Sequence, residues 1–456
     1  MSLTALKERY AKYGQSHAVK HLVEGDDISD FVDVPLEHLA SWHAQATGKQ
    51  PESSAVGNIG PFSGTVRSAT KDDTESSAAR SLGIEAVKNG QVAALVLAGG
   101  QGTRLGYDGP KGMFPLWNDG KTTLFSLLAQ RLLKLSKLAG CSNDSTIPLY
   151  IMTSPLNDTA TRQYWKDNNN FGLSTVVFFS QQLLPCLTPN APAQLILETP
   201  TRLARAPDGN GGVYTALPVD DLRSRQVQYV HAFAIDNCLT LPADPVVCGM
   251  AMIEKAADIA NVVVWKRDPE ERVGVLAETM PDRKPCIVEY SELSTEMAQM
   301  RNDENKLVYG AANICNHWYT VDCLERLQTS LPYHAAHKKI PYWNGSATVT
   351  PSDENNAVKL ETFIFDAFSH AKNLVVVEVD RADQFSPVKN AIGKDSPSSA
   401  RDHWDARNRR WLTKAGATLV GTGSCDIAPE TSYAGEGLVK VVAEKEGGQF
   451  ELPVVL

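Results

Sequence analysis

The chain has no apolar run near the roughly 18 residues that a membrane-spanning helix needs. Its opening Met-Ser-Leu-Thr-Ala-Leu-Lys-Glu-Arg-Tyr lacks the apolar stretch of a secretory signal. Cysteine is present but unpaired in pattern: Cys141, Cys186, Cys238, Cys248, Cys286, Cys315, Cys323 and Cys425 are irregularly spaced, with no Cys-x-x-Cys. That argues against a zinc site or a disulfide framework, and Cys238, Cys248 and Cys315 lie in apolar surroundings, as reduced core thiols do. The expected compartment is therefore the cytoplasm. Positive charge is also short, with Lys+Arg 44 against Asp+Glu 53 and a net charge of −9. No general field draws the chain to nucleic acid or to an acidic membrane, so neither is an expected partner. A phosphate ligand would have to be met by locally gathered cations. No internal repeat or low-complexity tract occurs, the ten histidines show no metal spacing, and no local Ser-His-Asp or Cys-His arrangement is evident.

Residues 92–116 organise what is there. Val92 to Ala98 is an unbroken apolar run with the length and branching of a strand buried on both faces. It empties into a loop with Gly99, Gly100, Gly102 and Gly106, where backbone N–H groups can come close to an anion. Arg104 adds a planar fork suited to phosphate, and Lys111, after Pro110, adds a point charge. The nucleotide-triphosphatase loop, Gly-x-x-x-x-Gly-Lys-Ser/Thr, is absent, and the dinucleotide fingerprint fails because Leu105 stands where its third glycine belongs. Strand, glycine loop and two cations together describe a phosphate cradle.

At 456 residues the chain can hold two or three domains. Residues 1 to about 50 have helical spacing, 63–77 are polar and read as a loop, and a helix is expected from Ser76 to Asn89 with Gly90 closing it. Leu124, Leu128, Leu132 and Leu135 mark an amphipathic helix that Gly140 can end. Apolar runs at Ile147–Met152, Thr175–Phe179, Tyr229–Ile235, Asn261–Trp265 and Leu374–Val379 alternate with helical patterns. The expected fold is α/β, Rossmann-like, with a central mixed, mostly parallel sheet flanked by helices. We expect a mostly helical N-terminal region at 1–88, a catalytic domain at 89–392 and a small β-rich C-terminal domain at 393–456.

Further pieces of a site lie along the chain. Asp236 stands at the end of the Tyr229–Ile235 strand, where a carboxylate can hold Mg²⁺ that keeps waters and bridges to phosphate oxygens, or Mn²⁺ in its place. Gln181, after another strand, has an amide that can match the edge of uracil, although a surface or capping Gln is the commoner fate. Asp208-Gly209-Asn210-Gly211-Gly212 is either a plain turn or a backbone presented to a base or sugar. Taken alone, Lys389 after Pro387 could be a solvated surface lysine, and Glu289 beside Tyr290 a structural carboxylate.

The string from Leu97 to Gly106, Leu-Ala-Gly-Gly-Gln-Gly-Thr-Arg-Leu-Gly, with Pro110-Lys111-Gly112, resembles the signature of eukaryotic UDP-N-acetylhexosamine (UDP-N-acetylglucosamine) pyrophosphorylases. Further likeness lies in Pro207-Asp-Gly-Asn-Gly-Gly212, in Phe385-Ser-Pro-Val-Lys-Asn390 and in Ser432-Tyr-Ala-Gly-Glu-Gly437, so that it runs from about 90 to 440. The resemblance implies a nucleotide-diphospho-sugar transferase fold and a uridylyltransferase joining UTP to N-acetylglucosamine 1-phosphate, with release of pyrophosphate. It implies catalytic Arg104, Lys111 and Lys389, metal-binding Asp236, and a substrate site that includes Leu97, Gly99 and Gly100. It further assigns Gln181 and Gly209 to uracil, Asn210 to the sugar-phosphate side, and Gly274, Glu289 and Asn313 to the hexosamine. The same chemistry on N-acetylgalactosamine 1-phosphate or glucose 1-phosphate, and a catalytically silent nucleotide-sugar binder, are the alternatives.

Overall fold

The computed structural model describes residues 1–48, 59–70, 73–117, 120–142, 145–254, 257–328, 331–351 and 354–456. The chain forms two compact units. The small one is Met1–Ala55, Gln181–Ala216 and Thr329–Ala367; the large one is Val56–Ser180, Leu217–Gln328 and Phe368–Leu456. Each unit thus draws on more than one of the stretches 1–88, 89–392 and 393–456.

The large unit is built on an 11-stranded sheet. Its main path uses β1 (Val66–Ser68), β2 (Val92–Leu97), β3 (Leu149–Thr153), β4 (Val176–Ser180), β5 (Tyr229–Ala234), β6 (Ile259–Trp265), β7 (Ala311–Thr320) and β8 (Leu374–Glu378). The spatial order is β1-β8-β6-β7-β5-β2-β3-β4. Every neighbouring pair is parallel except the two made by β7, which runs against β5 and β6. This is the mixed, mostly parallel sheet expected. β2 is buried at every residue, as its unbroken apolar run requires. Ala234 lies opposite Leu97, so the glycine loop and Asp236 leave the sheet at the same edge.

Helices α1 (Thr74–Lys88), α2 (Leu124–Leu138), α3 (Pro245–Ile253) and α4 (Pro397–Lys414) belong to the same unit. Asp73 caps α1 by accepting from the Ser76 N–H, and Gly90 follows it at φ +70. A Thr123/Ser126 capping box starts α2, and Gly140 takes φ +78 beyond its end. Two sequence expectations need correction. Within the polar stretch 63–77, Val66–Ser68 is a strand, because edge strand β8 offers unpaired groups and binds the Thr65 carbonyl and the Ala69 N–H on either side. The C-terminal stretch is not only β-rich: Ser396 and Pro397 start the 18-residue α4 through a capping box and a proline in its first turn. Helix α4 packs on the parallel pair Thr418–Asp426 and Gln449–Val455.

Helices α1 and α3 meet through glycine. A Cβ on Gly249 would stand 1.8 Å from the Ala79 carbonyl oxygen, and one on Gly83 would stand 2.0 Å from that of Pro245. Backbone sits on backbone there, and no rotamer change can make room. Gly249→Ala is expected to destabilise the fold by about 3 kcal/mol. A urea melt checks this, and an unchanged midpoint would mean that the helices separate at little cost.

In the small unit, helices Leu3–Lys12 and Leu36–Thr47 pack on strands His334–Lys338 and Ala357–Glu361 and the hairpin-like pair Leu183–Pro185 and Arg205–Pro207. Leu6, Tyr10, Phe31, Leu187, Val358 and Leu360 form its core. Gln15 ties the N-terminal segment in with both ends of its amide, donating to the Ala193 carbonyl at 2.8 Å and accepting from the Leu195 N–H at 2.9 Å. The partners of these N-terminal helices lie far along the chain. Among the described residues, no helix is long and apolar enough to cross a membrane.

Candidate active site

The glycine loop folds into a closed ring. The Gly102 N–H donates to the Gly109 carbonyl at 2.9 Å, and the Lys111 N–H to that of Gly100 at 3.1 Å. Tyr107 fills the ring: a Cβ on Gly102 would lie 2.8 Å from its side chain. Just beyond β3, Ser154 Oγ donates to the Gly99 carbonyl at 3.0 Å, and Asn157 Nδ2 to that of Ala98 at 2.9 Å. The Leu97 carbonyl accepts from the Ile235 N–H, so Leu97 is part of the sheet itself. At Gly100 a Cβ would meet no protein atom within 4 Å. Nothing in the protein requires glycine there, which is what a position reserved for close ligand approach would show.

Lys111 is buried, and its Nζ lies 3.8 Å from Asp236 Oδ2. Burial pushes its ammonium below the usual lysine range, and Asp236 pulls it back up. Arg104 and Lys389 push it down again, so two further cations and one carboxylate act on Lys111. The element that holds Lys389 is pinned to the Asp236 strand end. The Val388 N–H donates to the Asp236 carbonyl at 2.8 Å, and buried Asn237 bonds both the Gln384 carbonyl (2.7 Å) and the Ser386 N–H (2.8 Å). Asp236, Asn237 and Lys389 therefore move as one piece. Asn237 was absent from the sequence-derived candidates, and only its place after Asp236 could have drawn notice.

Gly274 lies against Glu289, since a Cβ there would stand 2.9 Å from Glu289 Oε1. Loss of solvent and the neighbouring Glu292 raise the Glu289 carboxyl, and Lys389 lowers it. Asn313 is tied to the same place by its N–H, which donates to the Gly274 carbonyl at 2.9 Å. Cys315 takes φ +52 inside β7, and pairing with β6 slips between Asn261 and Val263. Such a bulge re-aims side chains near sites. Here it lets His317 Nε2 meet Asn313 Oδ1 at 3.1 Å, while the Tyr319 hydroxyl meets His317 Nδ1 at 3.1 Å. Burial lowers His317 to about 3, so it is neutral: Nε2–H donates to Asn313, and Nδ1 accepts from Tyr319. Sequence reading missed this chain because the bulge that builds it leaves no compositional mark.

Gln181, Gly209 and Asn210 belong to the small unit. Gln181 is buried. The Asp208 carbonyl accepts from the Thr362 N–H at 2.7 Å, and the Gly211 N–H donates to the Thr362 carbonyl at 2.9 Å. Gly209 has φ +89, and a Cβ there would stand 2.3 Å from the Thr362 carbonyl oxygen. The Asn210 side-chain oxygen accepts from the Ile364 N–H at 3.0 Å, so one of its acceptor positions is structural. Asp208, passed over in the sequence, is buried against Gly212, where a Cβ would strike its carboxylate. Burial raises it to about 6. The folded chain then holds this proton more tightly than the unfolded one, so stability falls as pH rises from about 4 through about 6. Asp208→Asn is expected to be more stable than the parent at pH 7.5, by up to about 3 kcal/mol, with the gain vanishing near pH 4. Denaturant melts at the two pH values check it.

The sequence model of the family described as UTP–glucose-1-phosphate uridylyltransferase matches residues 66–411. The chain belongs to this family. Within the uridylyltransferase family its relatives include UDP-N-acetylhexosamine pyrophosphorylase-like protein 1 of Xenopus tropicalis, 40% identical over 406 residues, spanning 82% of this chain and 78% of that one. UDP-N-acetylglucosamine diphosphorylase 1 of Arabidopsis thaliana is 37% identical over 485 residues, 98% of this chain and 92% of its own. The solved uridine diphosphate N-acetylglucosamine pyrophosphorylase of Trypanosoma brucei superposes with a TM-score of 0.82 at 26% identity, covering 100% of this chain and 99% of that one. The resemblance read from the glycine loop is thus matched along nearly the whole chain, and the chain is a member of the UDP-N-acetylhexosamine pyrophosphorylase family.

Proposed function

We propose that the chain transfers the uridylyl group of UTP to N-acetylglucosamine 1-phosphate, giving UDP-N-acetylglucosamine and pyrophosphate. Buried Lys111, 3.8 Å from Asp236 and under the charges of Arg104 and Lys389, carries this reading. A sugar-phosphate oxygen forms a bond to the α-phosphorus of UTP. The bond from that phosphorus to the bridging oxygen breaks, and pyrophosphate leaves with the electron pair. No enzyme nucleophile is needed, and the protein's part is to orient two anions and neutralise their mutual repulsion. Arg104, Lys111 and Lys389 supply fixed positive charge for this. Gln181 and Gly209 are assigned to uracil, Asn210 to the sugar-phosphate side, Leu97, Gly99 and Gly100 to the nucleotide, and Gly274, Glu289 and Asn313 to the sugar. Neutral His317 keeps the Asn313 amide oxygen occupied and so favours its NH₂ as the group offered to a sugar oxygen.

Asp236 is the residue that would hold Mg²⁺ or Mn²⁺. Among the described residues, no group of three or more His, Cys, Asp or Glu could cage a metal, and a single carboxylate suits an ion that takes its other ligands from water and phosphate. When bound, the ion adds neutralising charge at the phosphates. Eight cysteines with no disulfide among them support a reducing, cytoplasmic setting.

Pyrophosphate release with UTP and Mg²⁺ tests the reading, with N-acetylglucosamine 1-phosphate, N-acetylgalactosamine 1-phosphate, glucose 1-phosphate or no sugar as arms. Release that needs an acetamido sugar supports it. Equal use of glucose 1-phosphate keeps the mechanism and overturns the specificity. Binding of UDP-sugar without release in any arm identifies a silent binder.

A further inference from the structure

Behind the Asp236 strand end, in the large unit, lie two guanidinium groups that the reaction does not use. Arg131 of α2 and Arg407 of α4 are both buried. Arg131 Nη1 donates to the Cys238 carbonyl at 2.8 Å and the Thr240 carbonyl at 2.6 Å. Arg407 Nη1 reaches the Asp383 carbonyl at 3.4 Å, while the Asp383 carboxylate is taken by Arg410. Trp404 touches both groups, its ring centre 5.0 Å from the Arg131 carbon and 4.4 Å from that of Arg407, and Trp411 lies 4.4 Å from Arg407 as well. Carbonyl oxygens and ring faces disperse the charges, but among the described residues no carboxylate forms an ion pair with either group. Arginine stays protonated in proteins, and buried charges are ordinarily paired. Two like charges so close, without a counter-ion, form an uncompensated site.

The remaining polar atoms indicate where compensation enters. Arg131 Nη2 and Thr240 Oγ1 are both buried and have no hydrogen-bond partner. Arg131 and Thr240 line one small cavity of about 20 Å³, together with Asn237, Cys238, Phe233 and Leu128. That volume suits one water or one small ion. The Asn237 side chain is spent on Gln384 and Ser386, so the unpartnered side-chain groups on the lining are a guanidinium N–H and a hydroxyl, both able to donate. A positive wall that offers donors favours an anion over a water, which would seek acceptors for its own hydrogens.

We infer that this cavity is a binding site for a small monovalent anion of chloride size, held by Arg131 and Thr240. Its occupancy compensates the buried arginine pair and ties α2 to the turn that follows Asp236. Phosphate and carboxylate ligands are too large for it.

The test is a thermal melt of the whole protein in chloride, bromide or gluconate at constant ionic strength. A saturable rise of roughly 3 °C with chloride or bromide over gluconate is expected. General salt effects would not saturate in this way. Thr240→Val keeps the shape and the arginine and removes one donor, so it should lose most of that rise while remaining folded. A bromide soak of crystals should give an anomalous peak between Arg131 and Thr240. Equal midpoints in chloride and gluconate, a rise that Thr240→Val retains in full, or water alone in the cavity would each overturn the assignment.

Discussion

Lys111→Ala is expected to lower kcat by about 10²- to 10³-fold while the KM for UTP changes only a few-fold. Lys111 is held for this from three sides. Its N–H closes the glycine ring on Gly100, Tyr107 fills that ring, and Asp236 faces its ammonium at 3.8 Å. A cation buried beside two others exists at a cost that shows in its lowered proton affinity. In the proposed reaction phosphate charge repays that cost, most where charge builds on the leaving pyrophosphate, so the loss is expected in turnover rather than in ground-state binding. Asp236→Ala should also depress turnover, both by removing the carboxylate proposed to hold the metal and by leaving Lys111 against Arg104 and Lys389 without its counter-charge. Because the two side chains share one electrostatic problem, the double variant should lose less than the product of the single losses. Steady-state kinetics on both single variants and the double variant check this. A Lys111→Ala effect confined to KM would mean that the lysine only binds nucleotide.

The parts of the fold that were legible are those in which one short stretch decides its own structure. β2 could be read because every residue is apolar and buried, and the turn after it because glycines and cations follow at once. β3, β4, β5, β6 and β8 were legible because each carries a mainly apolar run. β7 was not: Asn313, Asn316 and His317 break its apolar pattern, and the bulge at Cys315 abolishes its alternation. β1 forms only because β8 offers an edge, which no local reading could supply. The small unit is assembled from segments more than 100 residues apart, with Gln15 bonding Ala193 and Leu195. Contacts of that kind carry no local signature. The candidate site divides similarly: its cations and Asp236 could be picked by chemistry, whereas Asn237 and His317, which hold other groups in place, could be found only once the strands were paired.

Asn237→Ala is expected to cost about 2–5 kcal/mol of stability and, at a temperature where the variant stays folded, to lower kcat by at least about tenfold. The side chain is buried and satisfies three backbone groups: the Gln384 carbonyl, the Ser386 N–H and, at 3.3 Å, the Leu239 N–H. Truncation leaves the first two unpaired in a place that excludes bulk water, and each such orphan is costly. The kinetic effect arises separately. The bonds to Gln384 and Ser386 join the Asp236 turn to the segment that ends in Lys389, and a Lys389 shifted by an ångström no longer faces the charge it is proposed to meet. Asn237→Asp distinguishes the two contributions, since it keeps the acceptor for Ser386 and Leu239 but loses the donor to Gln384 and adds a negative charge beside Asp236. It should therefore remain impaired in turnover even where its melting temperature is partly restored. If Asn237→Ala melts early but turns over at the parent rate at low temperature, the clamp serves folding alone, and Lys389 is positioned by Val388 and Asp395 without it.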